Sequence, residues 1–351
     1  MMRVAAFTKY DREAASTRQR LLQYVPRLNA AGIEVEHRPL LGDDYVRALA
    51  TGQPFSRLAI LKSYMRRLGE LFSGPDCDVL WVYAELFPYL PGAFERLAFR
   101  VGRPVVYDFD DAFFLTYENS RLLSGKLKPL LTGAAACCCG NDYLREYARR
   151  FNDSAIVLPT VVDTDVYKPA PRLSDRPPTV GWIGSPSTWS YVQPLLPVLR
   201  QLCTERGARL LVVGAGAAAE SDCFPGMELC DWSEQSEVGS VQMMDIGIMP
   251  LPDEPWARGK SGYKLVQYMA CGLPVVASPV GVNSTIVEHG KHGFLAGDQA
   301  EWLQALERLL GDDELRARMG VAGRDRIVRD YSLQSQAPRF IEVLKSAATT
   351  E

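Results

Sequence analysis

Histidine is scarce in this chain, with only His37, His289 and His292 among 351 residues, and no Cys-x-x-Cys pair occurs. A zinc centre is therefore a poor first reading, and no metal site is expected. Of the eight cysteines, Cys137, Cys138 and Cys139 are consecutive, and Cys203, Cys223, Cys230 and Cys271 lie in or beside apolar segments. Reduced, mostly buried thiols are the expectation. No uncharged apolar run of about 18 residues appears, and the N-terminus meets Lys9 and Asp11 too soon for a signal-peptide core. A cytoplasmic protein is expected. Net charge is nearly absent as well, −3 from 39 basic and 42 acidic residues. No global field is present to hold a phosphate polymer, which argues against nucleic acid. Up to Lys168 the chain carries 22 Lys+Arg and 20 Asp+Glu (net +2), leaving 17 and 22 (net −5) for the rest.

What is present is ample apolar content, 47% hydrophobic with 10% aromatic residues, in a length that suggests about two domains. Short apolar strands alternate with amphipathic helical stretches, the pattern of parallel sheets covered by helices. Strands are predicted at 4–7, 33–38, 78–83, 104–108, 134–139 and 155–158, with helices at 18–31 and 142–151. Prolines 159, 169, 171, 177 and 178 then mark a linker over 159–178. A second series follows: strands at 179–183, 209–213, 227–229, 245–249 and 274–278, and helices at 192–206, 263–271, 301–310 and 313–329. The fold class is α/β, two Rossmann-like halves, with a ligand expected in the cleft between them. The expected division is 1–165 and 166–335, with the last helix, about 336–351, returning to the first domain.

The densest chemical signal is the segment Arg258-Gly259-Lys260-Ser261-Gly262-Tyr263-Lys264-Leu265-Val266-Gln267. A loop with two glycines and a serine opens a helix there, so backbone N–H groups and the positive helix end converge where a phosphate could sit. Arg258, Lys260 and Lys264 add charge. An ordinary loop–helix connection with solvated lysines has the same spacing, which is neither a P-loop nor a Gly-x-Gly-x-x-Gly fingerprint.

Residues 245–250, the segment just quoted, Val280-Gly281-Val282-Asn283 and Gly293-Phe294-Leu295 together resemble the donor-binding domain of GT-B-fold glycosyltransferases, and more narrowly the retaining family 4. The likeness is strong over about 179–331 and weaker over the first half. It implies a GT-B glycosyltransferase that takes a sugar from a nucleotide-diphosphate donor (UDP-, GDP- or another) bound by the second domain. A glycan, lipid-linked or small-molecule acceptor would be bound mainly by the first. No cofactor or metal is implied. In the family's Glu-x7-Glu motif the first Glu contacts the donor sugar and the second the ribose; Gly259 and Gln267 stand at those positions here. A Gln amide can still bond a ribose hydroxyl. Asp253 or Glu254 are the candidates to replace the missing first carboxylate. Where the family has a diphosphate-binding Arg and Lys, this chain has Gly184, Ser185 and Thr188, so Arg258, Lys260 and Lys264 become the compensating cations. Gly262 and Tyr263 open the helix, and Trp232 lies in a segment expected near the base. Lys260 and Lys264 would stabilise charge on the departing diphosphate, with the acceptor proton passing to it. A sugar-nucleotide epimerase and a non-catalytic nucleotide-sugar-binding partner of another transferase are the alternative readings.

In the first half, Arg18 or Arg20 either faces the cleft or is solvated. Tyr83, Glu85 and Tyr89 follow a strand end and are acceptor-side candidates. Asp108, Asp110 and Asp111 contain an Asp-x-Asp, open to three readings: a divalent ion, acceptor or cleft architecture, or helix capping. The stretch from Arg57 to Phe72 is basic and amphipathic, with Leu58, Leu61, Met65, Leu68 and Phe72 on one stripe. It reads either as a helix packed on the sheet or as one contacting a membrane surface.

Overall fold

The computed structural model describes residues 1–50, 52–171 and 176–349. Residues 172–175 of the expected linker and 350–351 of the expected last helix lie outside the described residues. Two compact units emerge: the first holds Met1–Val161, Gly259–Ser261 and the chain from Leu333 onward, the second Val162–Arg258 and Gly262–Ser332. The division falls at 161 rather than 165, and the short piece at 259–261 is grouped with the first unit.

The first unit carries six parallel strands: β1 (Met2–Tyr10), β2 (Ile33–Leu41), β3 (Val79–Tyr83), β4 (Val105–Phe109), β5 (Ala136–Cys139) and β6 (Ala155–Val157), in the order β2-β1-β3-β4-β5-β6. β3 (Val-Leu-Trp-Val-Tyr) and β4 (Val-Val-Tyr-Asp-Phe) are buried along their whole length, which is why they read as unbroken apolar runs. Because β2 and β3 lie on opposite sides of β1, the chain reverses direction at β1/β3. Ligands bind outside the carboxyl ends of strands at such a switch point. The expected 18–31 helix is broken into Ala15–Arg20, a tight turn at Leu22–Tyr24, and Val25–Ala30. Pro26, which lacks an N–H, restarts the helix from its first turn. The helix Leu333–Thr349 buries Leu333, Ala337, Phe340, Leu344 and Ala347 against this unit's core. Phe340 sits edge-on to Trp81, ring centroids 4.6 Å apart, and to Tyr24 at 5.4 Å.

The second unit has β7 (Thr179–Ile183), β8 (Arg209–Val213), β9 (Met227–Cys230), β10 (Ile246–Met249), β11 (Val275–Ala277) and β12 (Gly293–Leu295), again all parallel, in the order β12-β11-β10-β7-β8-β9. Alternation along the strands splits the core. Trp182, Val212, Ile248 and Val276 face one side with Leu199 and Leu306; Ile183, Val213, Met249 and Ala277 face the other with Leu265, Val266 and Met269. The predicted 192–206 helix begins instead as a tight turn, Gln193–Leu195, before Leu196–Arg206, since Pro194 and Pro197 fall in successive first turns. Chain order reverses at β7/β10, so this unit also has one switch point. Among the described residues no helix is long and apolar enough to cross a membrane, and all eight cysteines are free thiols.

Candidate functional site

At the carboxyl ends of β7 and β10, Gly184 and Lys264 meet. A Cβ on Gly184 would fall 2.8 Å from Lys264 Cε and 2.5 Å from the Trp182 ring, so only glycine lets the lysine stem pass. Lys264 Nζ lies over that ring, 5.5 Å from its centroid. Gly262 caps the helix Tyr263–Ala270 at φ +70°, a conformation glycine adopts without strain, and no side chain caps that end. Ser185 and Thr188 stand on the exposed turn that follows β7, where Thr188 Oγ1 donates to the Ser185 carbonyl at 3.0 Å.

Gln267 is buried, and its amide donates to Glu237 Oε1 at 2.8 Å and to Tyr167 Oη at 3.2 Å. Glu237 also accepts from Trp232 Nε1 at 2.6 Å and from the Tyr167 hydroxyl. Burial, with Tyr263 and Glu237 adding to it, pushes the Tyr167 hydroxyl well above its ordinary pKa, so it remains a donor. One carboxylate thus fixes both Trp232 and Gln267. Sequence reasoning missed Glu237, five positions after Trp232, because nothing in its neighbourhood marks it. Asp253 is held by Arg258 through two hydrogen bonds of 2.7 and 3.0 Å, which depress its pKa; both residues and Glu254 are exposed.

Gly259 and Lys260 belong with the first unit. A Cβ on Gly259 would lie 2.6 Å from Ala112 Cβ, so no side chain fits there. The carbonyls of Gly259 and Lys260 both accept from the Asn141 amide, at 3.1 and 2.9 Å. Lys260 Nζ is 3.2 Å from Asp111 Oδ1. Ser261 is half-buried. Lys260 is therefore paired with a carboxylate.

Two acceptor-side expectations are corrected. Arg20 is neither solvated nor turned outward: it is buried, its guanidinium paired with Asp108 and donating to the Leu158 carbonyl at 2.8 Å. Tyr83 is likewise interior, donating to Asp110 Oδ1 at 2.6 Å, while Thr160 donates to Asp110 Oδ2 at 3.0 Å. A buried cation needs a nearby carboxylate, and Asp108 at the end of β4 supplies it. Asp108 also accepts from Trp81 Nε1 at 3.3 Å. Arg18 bonds the carbonyls of Arg12 and Glu13 at 3.0 and 2.8 Å, clamping its own loop.

Glu85 is buried as well, 3% exposed, but it stands in a distinctive loop. It follows β3 through a three-residue turn in which Glu85 N–H donates to the Tyr83 carbonyl at 2.8 Å around Ala84 at φ +62°. Such a turn is rare and strained. Tyr89, at the far end of the same loop, also has a positive φ of 61°. These two are the only non-glycine residues with positive φ among those described. The loop is braced throughout: Glu95 accepts from Leu86 N–H and Phe87 N–H at 2.9 and 3.1 Å, and Tyr107 and Tyr64 donate to the Ala84 and Pro88 carbonyls. Lys126, fully buried, pairs with Glu95 and lies 3.5 Å from Glu85. Glu85 accepts from Tyr117 Oη at 2.6 Å, and Lys9 Nζ approaches it to 3.9 Å while lying over the Tyr10 and Tyr89 rings. Tyr89 is 66% exposed. The end of β1 and a strained, braced loop thus bring a buried carboxylate, a lysine and two tyrosine faces together at the β1/β3 switch point. Burial, with Tyr89 and Glu85 nearby, raises Tyr10 to about 12.

Comparison with known proteins agrees with this architecture. Residues 177–312 match the family model described as Glycosyl transferases group 1. A phosphatidyl-myo-inositol mannosyltransferase of Mycobacterium leprae (strain TN) is 28% identical over 297 residues, covering 78% of this chain and 75% of its own. A D-inositol 3-phosphate glycosyltransferase of Corynebacterium aurimucosum is 26% identical, over 57% of this chain and 53% of its own. Among solved structures, sucrose-phosphate synthase of Thermosynechococcus elongatus aligns at TM-score 0.74 with 15% identity and 99% coverage of both chains. Anabaena HepE, in complex with UDP-glucose, aligns at 0.73 with 16% identity, over 99% of this chain and 100% of its own. The chain is a GT-B-fold glycosyltransferase whose second unit carries the group 1 pattern.

Proposed function

We propose that this glycosyltransferase draws its sugar from a nucleoside diphosphate held at the β7/β10 switch point, and transfers it with retention to a hydroxyl of an acceptor held at the β1/β3 switch point. The observation that carries the donor half is the meeting of Gly184, Lys264 and the uncapped helix start at Gly262. Backbone N–H groups at a helix start and one lysine suit an anion. Lys264 stabilises the charge that grows on the departing diphosphate, an effect strongest in the transition state. Gln267, its amide nitrogen committed to Glu237 and Tyr167, offers its carbonyl oxygen to a ribose hydroxyl. Trp232, steered by Glu237, is the base-side group. Arg258, Ser185 and Thr188 remain supporting phosphate contacts, and Asp253 and Glu254 sugar contacts.

Retention follows from the resemblance to retaining enzymes, with the acceptor proton passing to the leaving phosphate. The carboxylates of the Asp-x-Asp segment are engaged by Arg20, Tyr83, Thr160 and Lys260, which favours the structural reading of that segment over the metal one. On the acceptor side, Lys9, steered by the buried Glu85, would hold hydroxyls, and Tyr89 the face of a ring. The inositol-type names of two relatives fit a polyol acceptor. Eight free thiols suit a reducing compartment, the cytoplasm.

Melting curves with UDP, GDP, ADP, TDP and CDP test the donor half, UDP first because the similar HepE is in complex with UDP-glucose. A diphosphate at about 100 times its dissociation constant adds about 2.7 kcal/mol. Lys264→Ala is expected to abolish most of that gain while leaving the apo melting point nearly unchanged, since its cation–π contact is worth about 0.5–1 kcal/mol. Absence of any shift with all five nucleotides would sink the donor assignment.

A further inference from the structure

The helix Arg57–Ser73 is inverted relative to an ordinary surface helix. Its buried face carries Arg67, whose guanidinium donates to the carbonyls of Thr8 (3.0 Å), Arg38 (2.8 Å) and Leu86 (3.3 Å), together with Leu71. Its outer face carries Leu58, Leu61, Met65 and Phe72, which are 60, 58, 59 and 61% exposed. At about 100° per residue these four fall within an arc of about 60°. Sequence left open whether the stripe packs on the sheet; Leu68, its fifth residue, is half-buried, and the other four face outward. Three carbonyl bonds to Arg67 fix the helix's rotation, so the stripe cannot turn inward without unpairing them.

Cations border the stripe. Lys62 and Arg66 run along one edge and Arg57 along the other, all exposed, and the Arg100 guanidinium lies 5.0 Å from the Phe72 ring. Glu70 is the only acid on the helix, and its carboxylate is taken by Arg66 at 2.5 Å and Arg67 at 3.5 Å. Arg66 is engaged by Glu70 and by the Pro39 and Leu40 carbonyls, which leaves Arg57, Lys62 and Arg100 as the cations along the apolar stripe, an arrangement that matches the acyl–headgroup boundary of an anionic bilayer.

We propose that this helix docks the first unit on an anionic lipid surface. Tyr64, on the same helix, donates to the Pro88 carbonyl at 2.8 Å, so the docking element is bonded directly to the loop carrying Glu85 and Tyr89. Docking would set that loop at the lipid surface. The stripe alone would also suit a second copy of the chain; the cation border favours the bilayer, because two such borders repel each other.

Co-sedimentation of the full chain with vesicles of phosphatidylcholine alone, and of phosphatidylcholine with 30% phosphatidylglycerol, tests this. The expected result is binding to the anionic vesicles, weakened by salt, and far less to the neutral ones. Arg57→Ala with Lys62→Ala should lower the partition about 30-fold, at about five-fold per cation. Leu61→Ser with Met65→Ser should lower it at least about ten-fold. All four positions are exposed, so circular-dichroism melting points should not move. No sedimentation, equal binding to both vesicle types, or binding unchanged in both double variants overturns the proposal. So does a wild-type dimer, seen by analytical ultracentrifugation, that Leu61→Ser with Met65→Ser converts to monomer.

Discussion

At position 259 the resemblance calls for a carboxylate that contacts the donor sugar, and the chain has glycine. The cause is steric: a Cβ there would stand 2.6 Å from Ala112 Cβ and 3.0 Å from its backbone nitrogen. Gly259→Glu is therefore expected to lower stability by about 1–3 kcal/mol, as overpacking does, and not to raise turnover. Urea denaturation and initial rates check this; unchanged stability with a higher kcat would refute it. The same scale shows where sequence reading stops. Gly259 and Gln267 are visible as departures from a pattern, but the Ala112 contact and the role of Glu237 are not. Glu237 becomes informative only once Trp232, Tyr167 and Gln267 converge on it from three separate stretches of chain. Arg20 is the opposite error: a charged residue in a loop–helix region reads as exposed, and its partner Asp108 lies 88 positions away.

Elements were more legible than their orientation. β3, β4, β7, β8 and β10 are buried strands of parallel sheets, whose continuous apolar runs announce them. The helix Arg57–Ser73 was visible too, but periodicity fixes only the angle between stripes, not which stripe meets the core. That choice falls to the carbonyls of Thr8, Arg38 and Leu86, which topology gathers around Arg67. The strained loop Ala84–Tyr89 had no sequence signature at all, since alanine and tyrosine are not residues that advertise positive φ. Its strain yields a directional prediction. Ala84→Gly relieves about 1–2 kcal/mol of left-handed strain and adds about 0.5–1 kcal/mol of unfolded-chain entropy, for a net change of at most about 1.5 kcal/mol in favour of folding. Ala84→Val, β-branched at the same φ, is expected to cost about 2 kcal/mol or more. Equal melting points for the two variants would remove the argument that the turn is strained. With an acceptor in hand, Ala84→Gly should also raise the acceptor KM while leaving the donor KM unchanged, because only the first unit's loop loosens.

At the scale of the molecule, the outer ends of the second unit lie together, while the short piece Gly259–Ser261 within its span is grouped with the first unit. Val162 N–H bonds the Tyr331 carbonyl, and Val162 forms a parallel bridge with Ser332, so the ends of 162–332 are already joined. Both faces of its sheet are covered by its own helices, and each face has its own apolar cluster. The first unit is not complete in the same sense. Val4, Ala6, Trp81, Val106 and Cys138 share one cluster with Leu333, Ala337, Phe340 and Leu344, so the face of its central strands is closed by residues from the far end of the chain. Residues 162–332 expressed alone should therefore give one cooperative melt, as independent domains do, with only 259–261 losing their contacts to Ala112 and Asn141. Residues 1–161 alone should not, because three large side chains, Leu333, Phe340 and Leu344, would be missing from a cluster where each is worth about 1.5–3 kcal/mol, against a total domain stability of about 5–15 kcal/mol. Adding 333–351 as a separate peptide should restore the cooperative melt of 1–161 and quench Trp81 exposure, read by fluorescence. A cooperative melt of 1–161 without the peptide would mean that the last helix merely decorates a unit that is stable by itself.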